Sequence, residues 1–139
     1  MINLKDYICT LFGALGGFIT SLFGGWTNGI ITLLLFMCID YISGIMLAGV
    51  FKKSRKTETG ALESRTGWKG LCRKGMTLII VLIAYRLDVQ IGTDYIRDAV
   101  IIAFCVNEAI SIIENAGLMG IPLPDVLTKA IDVLNKKMK

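Results

Sequence analysis

Five ionisable residues lie in stretches otherwise apolar enough to exclude water: Asp40, Arg86, Asp88, Glu108 and Glu114. Asn107, Glu108, Ser111, Glu114 and Asn115 fall at i, i+1, i+4, i+7 and i+8, so a helix gathers them into one polar stripe. Carboxylates grouped in this way could serve acid–base chemistry, bind a metal, relay protons or line a wet channel. Catalysis lacks its other members. The chain has no histidine, no nucleophile–base pair, and no P-loop or dinucleotide-binding pattern; Gly60, Gly67, Gly70 and Gly75 do not have phosphate-loop spacing. Cys9, Cys38, Cys72 and Cys105 form no C-x-x-C pair, which removes the support for zinc or haem. They are expected to be small packing residues. No catalytic residue, metal ligand or cofactor is expected.

Polar contact inside a membrane remains. Each charged centre costs roughly 2.5–3.5 kcal/mol there, so such groups turn inward, pair, or meet water. Asp40, Arg86, Asp88, Asn107, Glu108, Ser111, Glu114 and Asn115 are the candidate polar intramembrane face. Arg86 is the one base expected deep enough to neutralise Asp40 or Glu108. That leaves acids to be protonated, hydrated or placed near an interface. Pore lining and helix–helix bonding are both open readings of the stripe.

The elements that must position these residues are apolar. Of 139 residues 54% are hydrophobic and 19% charged, with a mean hydropathy of +0.65. A soluble domain has about a quarter charged residues, so this chain lacks the polar surface to cover a water-soluble globule. The expected fold is one all-α integral membrane domain with three to four transmembrane helices and a short amphipathic C-terminal helix. The hydrophobic segments run over 6–24, 29–51, 76–91 and 95–118, divided by the Gly24–Gly29 turn cluster and the Gly92–Asp94 patch. Gly120 to Pro124 stops the fourth. In the tail, 124–139, Leu127, Ala130, Ile131, Leu134 and Met138 recur at helical spacing. No cleavage site follows the first apolar run, and the N-terminus is expected to be retained.

Residues 52–74 hold eight basic residues against Glu58 and Glu63, while the rest of the chain is net acidic. Short basic loops stay cytoplasmic. With four spans, both termini would be cytoplasmic; if the first segment only dips into the bilayer, three spans remain and the N-terminus is outside. Lys52, Lys53, Arg55, Lys56, Lys69, Arg73 and Lys74 are read as a basic loop facing anionic lipid head groups, in preference to nucleic acid.

In the first segment Cys9, Gly13, Gly17, Ser21 and Gly25 recur every four residues, opposite a bulky face that includes Leu11, Leu15, Phe18 and Leu22. Small residues four apart let helix backbones approach within lipid. Gly13, Gly17, Ser21 and Gly25 are the candidate self-association face; packing within the chain is the alternative.

Three blocks carry a family resemblance: Ile39-Asp40-Tyr41-Ile42-Ser43-Gly44-Ile45, SRTGWKGLCRK over Ser64–Lys74, and Asn107–Asn115 followed by Gly120-Ile121-Pro122-Leu123-Pro124. With Asp88 they resemble the toxin-secretion/phage-lysis holin family from about residue 30 to the C-terminus. The resemblance implies a homo-oligomer in the bacterial cytoplasmic membrane that forms a lesion, through which an endolysin or a toxin leaves the cell. It supplies no catalytic residues. The competing readings are a small membrane subunit or ion- or proton-conducting transporter component, and a membrane adaptor that docks a partner through its basic loop.

Overall fold

The computed structural model describes residues 1–138, with only the backbone given for Leu134, Asn135, Lys137 and Met138. Lys139, the end of the expected tail, lies outside the described residues. Among the described residues every regular element is a helix: α1 (Leu4–Leu22), α2 (Asn28–Met46), α3 (Ser64–Ile91), α4 (Ile96–Leu118) and α5 (Asp125–Met138). The last turn of α2 widens into a π-helical stretch, Leu47–Phe51, which ends at Lys52 in the left-handed conformation.

Local chemistry sets the ends. Asn3 and Asp6 close a capping box at the start of α1. The Thr27 hydroxyl caps α2 by accepting from the Ile30 amide, and Gly92 ends α3 with a positive φ. The basic stretch departs from the expectation. It is a loop only as far as Glu63, and α3 begins at Ser64 rather than near Met76. No proline interrupts Ser64–Lys74, and Gly67 and Gly70 give Tyr41 of α2 close access to the α3 backbone, where its hydroxyl donates to the Gly67 carbonyl at 3.2 Å.

Helices α2, α3 and α4 form the packed unit. Its apolar centre joins Ile30, Leu33 and Met37 of α2 to Val81 of α3 and Ile101 of α4. The buried positions repeat every seven residues: Leu33, Asp40 and Leu47; Val81 and Asp88, continued back to Lys74; Ile101, Glu108 and Asn115. Seven residues are two helical turns, about 10 Å of rise, so each helix returns the same face to the axis. From the Leu33–Val81–Ile101 layer to the next, numbering rises in α2 and α4 and falls in α3. Thus α2 and α4 run parallel, with α3 antiparallel between their ends.

Helix α1 stands apart, with no buried residue. It meets the packed unit at its C-terminal end, where the partly buried Phe23 packs on the apolar centre. Helix α2 with its π-helical end, Asn28–Phe51, is long and apolar enough to cross a membrane by itself, the one such helix among the described residues. The others are more diluted: α1 opens with Lys5 and Asp6, α3 begins in the basic stretch, and α4 carries Arg97, Asp98, Glu108 and Glu114. The structure therefore establishes the all-helical class but not a count of three to four spans.

Candidate functional site: a charged layer between three helices

Two turns from the dry Leu33–Val81–Ile101 layer the three helices bring their charges together. The Lys74 ammonium donates to Asp40 Oδ2 at 2.7 Å and to Glu108 Oε2 at 2.8 Å. Ser111 donates to the other oxygen, Asp40 Oδ1, at 2.6 Å. The Asn115 amide reaches Ser43 Oγ at 2.9 Å and Asp40 Oδ1 at 3.4 Å. Asp40, Glu108 and Asn115 are each at most 8% exposed, so these bonds replace hydration that burial has removed. Unpaired, a buried charge costs several kcal/mol; here every buried side-chain nitrogen and oxygen among the described residues has a partner.

This corrects the expected pairing. Arg86 is exposed on α3 and forms no ion pair among the described residues. Lys74, read from sequence as a lipid-facing loop residue, is the base that pairs with the acids. At 100° per residue Lys74 shares the inward face of α3 with Val81 and Asp88, whereas Arg86 points away. One signal could have revealed it: Gly67, Gly70 and Lys74 lie at i, i+3 and i+7, and a continuous α3 carries that face on to Val81.

The polar stripe of α4 is also divided. Glu108, Ser111 and Asn115 turn into the chain's own core, while Asn107 and Glu114 are exposed. Glu114 meets Arg55 at 3.5 Å on the surface, where such a pair adds little. Asp88 belongs to a different place. Its carboxylate accepts from the Thr93 hydroxyl at 2.5 Å and from the Ile96 and Arg97 amides at 3.0 and 2.8 Å, capping the start of α4.

Arg97, which the sequence reading did not single out, fastens α1. Its Nη1 donates to the carbonyls of Phe23 at 2.9 Å and Gly24 at 3.2 Å, and the guanidinium lies 5.5 Å from the centre of the Tyr85 ring. Gly24 has φ +83°, and a Cβ there would strike the Tyr85 ring and the Arg97 guanidinium. Farther along α1, a Cβ at Gly13, Gly16 or Gly17 would meet nothing within 4 Å. Gly13 and Gly17 therefore face no helix of the same chain closely, Ser21 is exposed, and Gly25 lies in the turn beyond α1. Cys9, Cys38 and Cys72 are exposed and only Cys105 is half-buried, so three of the four are not core packing residues.

Of the other cations expected to face lipid, Lys52, Lys53, Lys56, Lys69 and Arg73 are exposed. An open cavity of 650 Å³ lies between the ends of α2, α3 and α4 and the 52–63 loop, and Asp40, Lys74 and Glu108 are among its lining residues. Chemically, the charged layer is a three-helix clamp: through Lys74 and the Asp40 carboxylate it cross-links α2, α3 and α4.

Known proteins give the frame for this arrangement. A protein of Clostridium perfringens, named as an uncharacterized 14.9 kDa protein in the nagH 3′ region, is 37% identical over 99% of each chain. An uncharacterized protein of Listeria monocytogenes is 39% identical over 91% of this chain and 83% of its own. A probable holin of Bacillus phage phi105 is 29% identical over 73% of this chain and 70% of its own. No solved structure matches. Residues 17–136 match the bacteriophage holin family, a stretch that holds the charged layer, the α4 cap and the Arg97 fastening; the chain belongs to that family.

Proposed function

We propose that the chain acts as a holin: it crosses the bacterial cytoplasmic membrane several times, self-associates, and forms a lesion that releases an endolysin or a toxin. Family membership and the phage phi105 relative support the holin role. One structural observation carries the assembly. Helix α1 has no buried residue and its small-residue face is open, while the buried side-chain polar groups among the described residues are satisfied within the chain. A second copy is the partner proposed for that face, because small-residue faces in lipid associate by close backbone approach. The apolar faces left outside the packed unit, such as Ile31, Leu35 and Ile42 of α2 and Met76, Ile79 and Ile83 of α3, suit lipid in a multi-pass arrangement. The 52–63 loop and the C-terminus are placed on the cytoplasmic side by their lysines and arginines.

The test is induced expression in a bacterial host with a membrane-potential dye and a co-expressed cell-wall hydrolase. Abrupt dye entry followed by hydrolase-dependent lysis is expected. Accumulation in the membrane without depolarisation would overturn the reading.

A further inference from the structure

Among the cations that line the 650 Å³ cavity, not all are committed. Lys74 is held by Asp40 and Glu108, and Arg55 by Glu114. Lys56, Lys69 and Arg73 also line the cavity, yet their charged ends form no ion pair or hydrogen bond among the described residues. The remaining carboxylate of the lining, Glu63, accepts a hydroxyl from Thr66. Arg73 stands beside Lys74 in the SRTGWKGLCRK block, so one residue of that pair clamps the helices and the other is left over. Lys69 and Arg73 are one turn apart on α3, spaced to reach one anion together.

Beyond the charged groups, the lining combines hydroxyl and amide side chains, among them Thr57, Thr66 and Ser111, with an apolar part. Ile45, Leu62 and Leu118 form part of the same wall. A small soluble anion would leave these apolar side chains unused, whereas a glycerophospholipid matches both parts: its phosphate suits Lys56, Lys69 and Arg73, its glycerol oxygens suit the neighbouring hydroxyls, and its first methylenes suit the apolar side chains. The charge count agrees. Five cationic residues and four carboxylates line the cavity, and one phosphodiester would neutralise the difference.

We infer that this cavity binds the head group of a single anionic glycerophospholipid of the cytoplasmic leaflet, through Lys56, Lys69 and Arg73. The inference rests on the membrane placement proposed above but not on lesion formation. It separates these three cations from Lys52, Lys53 and Arg65, which are absent from the lining and feel the membrane surface only diffusely.

The full chain is reconstituted in phosphatidylcholine vesicles holding a minority of phosphatidylglycerol with the same acyl chains, then extracted and weighed with its retained lipid by native mass spectrometry. The wild type is expected to keep a single phosphatidylglycerol in preference to phosphatidylcholine. The Lys56→Gln, Lys69→Gln, Arg73→Gln variant should lose that preference by roughly 100-fold, from the surface attraction expected of three cations. The Lys52→Gln, Lys53→Gln, Arg65→Gln variant removes equal charge from the same stretch and should retain it. Equal losses in the two variants, or no preference in the wild type, would overturn the site. Displacement of phosphatidylglycerol by equimolar inorganic phosphate would overturn the lipid assignment in favour of a free anion. If the cavity variant loses helicity, Arg73→Gln alone decides, with a loss of about fivefold expected. A chain that depolarises no cell but keeps its lipid would fail as a holin while leaving this site standing.

Discussion

Lys74 is placed where its removal should be felt most. It bridges two carboxylates, each on a different helix and both almost fully buried. Lys74→Met would leave Asp40 and Glu108 facing each other without a cation, a loss of about 3–5 kcal/mol for a broken buried pair. The variant should accumulate poorly and be proteolysed. Adding Asp40→Asn and Glu108→Gln removes the uncompensated charge, and the neutral triple variant should recover most of the lost abundance. Membrane abundance by immunoblot checks both. Full recovery of lysis by the triple variant would also show that the charged layer is structural rather than part of the conducting surface. Glu108→Gln alone should be milder, because Lys74 keeps Asp40 as its partner; any lysis defect should scale with protein level. Dye entry and abundance measured in one culture test this, and a lysis delay at normal abundance would instead give Glu108 a role in the open state.

At the scale of the helix, α1 separates two questions that sequence leaves joined. Its small-residue face is open in the chain, so Gly13→Leu with Gly17→Leu should leave the packed unit intact. The double variant should accumulate normally, yield fewer crosslinked oligomers and lyse late or not at all. Unchanged crosslinking and unchanged lysis timing would remove α1 from the assembly. The end of the same helix behaves differently. At Gly24 an alanine meets a left-handed φ, worth about 1–2 kcal/mol, and its methyl group would push Tyr85 and Arg97 from their places. Gly24→Ala should therefore lower the melting temperature in detergent and expose the turn before α2 to protease. The Gly13 and Gly17 variant should do neither.

For the molecule as a whole, the outcome turns on which side of the membrane each end of the packed unit occupies. Helices α2 and α4 run parallel and α3 returns between them, so the 52–63 loop and the start of α5 lie at one end. The basic charge of the 52–74 stretch should hold that end in the cytoplasm. Reporters at Gly60 and after the last residue should both read inside. An outside signal from either would break the parallel arrangement of α2 and α4 across the bilayer and reduce the number of spans.

Composition and periodicity were enough to determine that this chain is helical, apolar and charged mainly in one stretch, because those properties are sums over residues and local spacings. They also gathered Glu108, Ser111 and Asn115 on one face of α4, since a helix fixes that face at 100° per residue. Only the tertiary structure decided what the face meets. The separation between Asp40, Lys74 and Glu108 along the chain gives no information about their contact; the starting point of α3 and the seven-residue register of three packed helices bring them together. The same register turns Arg86 outward and ends the reading of Ser64–Lys74 as loop. The open face of α1 is tertiary information of another kind: a small-residue stripe has the same sequence whether it packs on its own chain or on a second copy, and here the helix meets its own chain chiefly at Phe23 and Gly24.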